Sequence, residues 1–203
     1  MHRWKPLAAM LPPLSAAAAT LAQAPTAPPP GPIAMDRVET RGDGRLTVVS
    51  PAFAAGGPIP RRYTKYDDNV SPPLAWRGAP ARTQAYALIV DDPDGRIKPV
   101  THWLVWNIAT PGLPEGVAIG PETPPPVAAR QGTTTMRVVG FSGPHPPIGD
   151  LPHHYHFQVF ALDTTLSAPA GADREAVLAQ MKGHVLARGE LVGVFGQTAP
   201  PTP

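Results

Sequence analysis

There is no cysteine in the 203 residues of this chain. That absence removes disulfides, thiol nucleophiles, cysteine-ligated zinc and iron–sulfur clusters from consideration, together with a lipid-modified cysteine behind a signal peptide. Without crosslinks the fold must rest on its hydrophobic core, and the chain is long enough to bury one in a single domain. An excess of either charge is missing too. Lys and Arg number 17 against 15 Asp and Glu, and Arg3 and Lys5 fall in a segment expected to be removed, leaving 15 of each. A neutral chain has no electrostatic case for nucleic acid or an anionic membrane surface. There is no glycine-rich phosphate loop, dinucleotide fingerprint, nucleophile elbow or zinc-protease helix. Gly56-Gly57 and Gly140-Phe141-Ser142-Gly143 are loop glycines outside the strand–helix context those motifs require. A Ser142, His102, Asp92 triad can be assembled on paper, as in any chain of this size, and carries little weight.

Long apolar runs are scarce. The stretch from Leu7 to Leu21 is interrupted by Pro12-Pro13 and is too short to cross a bilayer. With His2, Arg3 and Lys5 before it and the small-x-small Ala22-Gln23-Ala24 after it, residues 1–24 read as a cleavable signal peptide. The mature protein, about 179 residues, is then expected in the periplasm or secreted, with no integral membrane segment.

Proline is abundant, at 30 residues, and it punctuates the chain. Residues 25–40 are rich in Pro and Ala and lack periodicity, which predicts a flexible leader, and 197–203 predict a disordered tail. Between them, 41–196 read as one domain without repeats. Gln84 to Asp91 is apolar at almost every position, as in a strand buried on both faces. Leu46 to Ser50, Thr101 to Ile108, His153 to Leu162 and Leu191 to Phe195 are further strands, with Met136 to Phe141 a weaker one. Short strands separated by Pro- and Gly-dense connections argue for a sandwich or barrel. One helix is expected over Ala172 to Ala187, with Val177, Leu178, Met181 and Val185 on one side, capping an edge of the sheet.

Chemistry-bearing residues concentrate at two strand ends. Gly143 to Asp163 holds four of the seven histidines and four prolines. Along its strand, His153, Tyr155, Phe157, Val159 and Ala161 share one face, and His154, His156, Gln158, Phe160 and Leu162 the other. The first set runs from polar to apolar, as in a strand leading from a pocket mouth into a core. Asp92-Pro93-Asp94-Gly95 is ordinary turn chemistry. It gains interest because it ends the most apolar strand and His102 begins the next. Alternation there sets His102, Leu104 and Trp106 against Trp103, Val105 and Asn107. A carboxylate beside His102 would favour its charged form. His154 and His156 have the spacing of a strand metal pair, but no third ligand is placed to complete it. Asp92, expected to face His102, should tolerate substitution less well than Asp91, expected to point the other way.

These motifs together resemble the phosphatidylethanolamine-binding protein family, in its bacterial branch often labelled Raf-kinase-inhibitor-like. The resemblance rests on Ser50-Pro51-Ala52-Phe53 with Gly57-Pro58-Ile59-Pro60, Ser71-Pro72-Pro73-Leu74-Ala75-Trp76 and Val90-Asp91-Asp92-Pro93-Asp94. It continues through His102-Trp103-Leu104, Gly143-Pro144-His145-Pro146-Pro147, Pro152-His153-His154-Tyr155 and Gly183-His184-Val185-Leu186-Ala187. It implies an all-β fold, a two-sheet antiparallel β-sandwich with a few peripheral helices. It also implies an anion pocket at one end of the sandwich, with Asp92, Asp94, His102, His153 and Tyr155 at the motif positions and Pro146 and Pro147 in the loop walling the mouth. The chain departs from the family pattern at His154, where Arg is usual, at His145, where bacterial relatives often have Cys, and at Gly95-Arg96, where Ala follows the second Asp. The segment TTTMRVVGF before Gly143 is also atypical.

The leading expectation is an exported, non-enzymatic binding protein for a small anionic or phosphorylated ligand, phosphate-like or carboxylate-like, with no cofactor. His102, His153 and Tyr155 would donate to the anion, while Asp92 and Asp94 orient the imidazoles and accept an ammonium from a zwitterionic head group. The alternative is a protein-interaction module that inhibits a protease or kinase. A hydrolase or metal-dependent enzyme using the histidine cluster ranks third.

Overall fold

The computed structural model describes Met1 and residues 31–197. The expected tail beyond Gln197 and nearly all of the expected signal peptide lie outside the described residues. In chain order the strands begin with β1 (Gly44–Arg45), β2 (Thr47–Val49), β3 (Leu74–Arg77), β4 (Ala85–Asp92) and β5 (Val100–Ile108). They continue with β6 (Gly112–Leu113), β7 (Arg130–Gln131) and β8 (His153–Leu162), then helix α1 (Arg174–Met181) and β9 (Val185–Phe195). One sheet has six strands in the order β1-β9-β8-β4-β5-β7, and the other three in the order β2-β3-β6. Every pairing is antiparallel except β1 with β9. The result is the expected two-sheet sandwich.

The large sheet is covered on both faces, which explains why β4 is buried at all eight positions. Leu88, Val90, Trp103, Tyr155, Phe157 and Val159 face inward, against Val48, Leu74, Trp76 and Leu113 of the small sheet. Ala87, Ile89, Leu104, Trp106, Phe160 and Leu162 face outward, against Val177, Leu178 and Met181 of α1. The face assignment along β8 holds through both cores.

Three expectations give way. The helix ends at Met181 instead of Ala187, and it covers a face of the sheet, not an edge. Gly183 turns the chain at φ 77. Val185 and Ala187 then pair with Leu162 and Ala161, so their backbone groups are satisfied in the sheet. Residues 31–40 of the expected leader are packed: Ala34 and Val38 join the outer core. The Ala34 amide donates to Asp91 Oδ2 (2.9 Å) and the Met35 amide to Gln158 Oε1 (2.7 Å). Met136 to Phe141 forms no strand. Arg137 adopts φ 58 in a turn closed by the Val138 carbonyl accepting from Thr134 N at 2.8 Å.

Candidate functional site

Antiparallel pairing brings the end of β4 beside the start of β8. Alternation sends Asp92 to the inner face with Leu88 and Val90, where it meets His153. The His153 Nδ1 to Asp92 Oδ2 distance is 2.8 Å, and both side chains are buried. Asp92 Oδ1 accepts from the amides of Asp94 (2.8 Å) and Gly95 (3.1 Å). The turn reading and the site reading of this tetrapeptide are therefore both realised: one carboxylate oxygen builds the turn and the other holds an imidazole.

His102 reaches the same place by a route that alternation does not give. Val90 pairs with Trp103 and Asp91 with Thr101, which leaves His102 as the extra residue of a β-bulge. Strict alternation groups it with Leu104 and Trp106 on the outer face. The bulge turns it inward, where its ring meets Tyr155 edge-on at 5.1 Å. Its carbonyl accepts from the Ser142 amide (2.9 Å), and its Nδ1 donates to the Ser142 carbonyl (2.6 Å). Because a carbonyl can only accept, Nδ1 carries a proton and Nε2 is the free ring position. Nε2 is buried, has no hydrogen-bond partner, and stands 3.9 Å from Asp92 Oδ2.

The electrostatics follow from this arrangement. Burial pushes the Asp92 carboxyl up, but the imidazoles of His102 and His153 and the Asp94 amide prevail and hold it well below the usual carboxylate range. The hydrogen bond to Asp92 raises His153 above the ordinary imidazole value, against the opposing effect of burial. Burial, and then the Asp92 charge, raises Tyr155, so its hydroxyl stays a protonated donor. That hydroxyl also lacks a partner; the His145 backbone is near it without reaching hydrogen-bond geometry.

A cavity of about 250 Å³ opens above this group. Asp92, His102 and His153 line it, with Pro146 and Pro147 from the wall loop and Arg96 from the turn after Asp94. Of the expected site residues, Tyr155 lies outside the lining, fully buried behind His102 and His153, its ring 6.5 Å from that of His153. Asp94 is turned elsewhere. Its Oδ2 accepts from His154 N (2.9 Å) and His154 Nδ1 (2.8 Å), so it orients neither pocket imidazole. His156 is taken by Glu190 through Nδ1 (2.9 Å). Among the described residues no group of three His, Asp or Glu is placed to hold a metal.

Sequence reasoning missed Arg96 and Tyr66. Arg96 is adjacent to the Asp-Pro-Asp-Gly turn, and that proximity was a usable signal. The Tyr66 hydroxyl donates to the Pro146 carbonyl at 2.6 Å and steadies the wall, from 80 residues away. No local pattern announces such a contact. Isoleucine and methionine at the mouth, Ile97 and Met136, remain exposed.

Comparison with known proteins agrees with this fold. The family model described as phosphatidylethanolamine-binding protein matches residues 49–196. A UPF0098 protein of Methanothermobacter thermautotrophicus is 42% identical over 152 residues, covering 74% of this chain and 98% of that one. A UPF0098 protein of Pyrococcus abyssi is 39% identical over 155 residues, covering 76% and 87%. Among solved structures, the phosphatidylethanolamine-binding protein homologue CT736 of Chlamydia trachomatis is similar at a TM-score of 0.68 and 33% identity, covering 76% of this chain and 99% of that one. E. coli YbcL, described as a new member of the mammalian PEBP family, is similar at 0.70 and 30%, covering 75% and 98%.

Proposed function

The chain belongs to the phosphatidylethanolamine-binding protein family, and from that premise we propose that it is an exported, non-enzymatic binding protein for a small phosphate-like or carboxylate-like anion. The anion sits in the cavity above Asp92, His102 and His153. The observation that carries this reading is His102 Nε2, a buried ring nitrogen in the cavity lining with no hydrogen-bond partner. Leaving such a group unpaired costs about 1–3 kcal/mol; in the doubly protonated ring Nε2 donates, and an anion oxygen that accepts from it relieves that cost. His153, held towards its charged form by Asp92, supplies positive charge beside it. The protonated Tyr155 hydroxyl lies directly behind and becomes a further donor if the rings part.

Export rests on the basic, apolar and small-x-small pattern of residues 1–24. Intact-mass measurement on protein from its native cell should find a chain beginning at or near Pro25, and retention of Met1 would overturn that part. The binding reading is tested by calorimetric titration of sulfate against the wild type and a His102→Ala, His153→Ala double variant. Binding should be present in the first and absent in the second; equal affinity in both would refute the site.

A second reading is favoured by one observation. Ile97, Ile148 and Leu151 are 71%, 57% and 79% exposed, the first in the cavity lining and the others on the loop that leads to His153. Exposed apolar side chains on the segments that flank a cavity suit a protein partner. A specific protein captured by the wild type and lost on replacing Ile97 and Leu151 by Ser would support this reading.

A further inference from the structure

Two departures from the family pattern act on the same property of the cavity. Asp94 would be the natural acceptor for a ligand ammonium group, but both of its contacts go to His154, and it does not line the cavity. On the other side of the turn, Arg96 is part of the lining. It is exposed and has no ion-pair or hydrogen-bond partner among the described residues. The turn that presents Arg96 depends on Gly95. Its amide is fixed to Asp92 Oδ1 at 3.1 Å, and a Cβ added there would stand 2.5 Å from Val100 Cγ2. An alanine in that position would have to displace the Val100 side chain or shift the turn that carries Arg96. Cavity floor, turn and cation are thus tied together through one carboxylate.

We propose that Arg96 is a specificity-determining residue of this cavity, selecting ligands that carry a second negative charge beside the bound phosphate or carboxylate and disfavouring zwitterionic, ammonium-bearing ones. The inference rests on the anion-site reading above. The first anionic group meets His102 and His153 at the floor. The second lies towards the mouth, where Arg96 can make a forked hydrogen-bond pair with a carboxylate. An ammonium in that position would meet a guanidinium, with its nearest natural partner already occupied by His154.

The test uses three ligands on the full mature protein at low salt. Phosphoglycolate and phosphoethanolamine have similar length and differ in carrying a carboxylate or an ammonium, while methyl phosphate carries neither. The wild type should prefer phosphoglycolate over phosphoethanolamine by about two- to fivefold, the scale of one exposed ion pair gained. Arg96→Gln should bring that ratio close to one, lowering phosphoglycolate affinity by more than methyl phosphate affinity, and Arg96→Lys should keep most of the preference. A wild type that prefers phosphoethanolamine, or a ratio that Arg96→Gln does not move, overturns the role of Arg96 while leaving the anion site in place. Failure of methyl phosphate and both other ligands to bind the wild type overturns the anion site and this inference with it.

Discussion

Replacing Asp91 by Ala should destabilise the protein more than replacing Asp92, although Asp92 is the residue at the cavity. Asp91 faces the outer side of the sheet and its side chain is 0% exposed. Its carboxylate accepts from Thr101 Oγ1 (2.9 Å), Arg174 Nε (3.2 Å) and Nη2 (3.0 Å), the Ala34 amide (2.9 Å) and Gln158 Nε2 (3.1 Å). It ties β4, β5, β8, α1 and the segment before β1 to one point. Removing one partner of a buried ion pair typically costs about 3–5 kcal/mol. Arg174 would keep Glu175 (3.2 Å) and the Pro32 carbonyl (3.3 Å), which argues for the lower end, about 3 kcal/mol. For a domain of this size that is a fall in Tm of roughly 10 °C. Asp92→Ala loses the His153 contact and the turn hydrogen bonds, costing about 1–3 kcal/mol, and should abolish anion binding. The two variants are therefore separable. Urea denaturation should show the larger midpoint loss in Asp91→Ala, and calorimetry of its folded fraction should show wild-type sulfate affinity. An Asp91→Ala variant within about 1 kcal/mol of the wild type would refute the reasoning about this network. The expectation from sequence ranked the two aspartates the other way. It had their directions right, but alternation alone does not reveal that the outer position meets an arginine from a helix 83 residues along the chain.

Stability should decline as pH rises above about 6.5, the reference imidazole value. His153 is raised in the fold by Asp92, so its contribution is complete below its unfolded value and is lost as pH climbs through the folded one. Denaturation midpoints measured across this range should slope downward in the wild type and less steeply in His153→Gln; identical slopes would contradict the pairing. Asp92, being depressed, loses its contribution only in acid, as pH falls below the ordinary carboxylate value. Deleting residues through Thr40 should cost about 2–4 kcal/mol relative to a chain starting at Gly31, from lost burial of Ala34 and Val38 and the orphaned Asp91 and Gln158 acceptors. Equal thermal midpoints for the two chains would show that this segment does not contribute.

Much of the sandwich was legible because its central strands declare themselves locally. The unbroken apolar run of β4 and the split faces of β8 follow from burial on two sides and from period-two geometry. The elements misread are those decided by tertiary contact. Val185 has the spacing of a helix face, but it joins β8 because the sheet supplies its backbone partners. Residues 31–40 have the composition of a leader and are held by acceptors on strands far along the chain. At the site, Asp92 and His153 could each be placed at a strand end, but the partner expected for Asp92 was His102, and the fold gives its 2.8 Å contact to His153 instead. His102 could be assigned to the site but not to the correct face, since a bulge is a register event between two strands and leaves no mark in either. Asp94 and Tyr155 show the opposite limit. Their motif positions are filled, yet His154 draws one away and burial withdraws the other from the lining.

The central claim, an anion held at His102 and His153, is tested most directly by following the imidazole nitrogens of ¹⁵N-histidine-labelled protein by NMR as sulfate is added. The account predicts that His102 Nε2 and the His153 ring shift together along one saturable curve, while the His156 and His184 rings, already taken by Glu190 and Asp163, stay in place. Unmoved His102 and His153 resonances, or weak non-saturating drifts shared by every histidine, would contradict it.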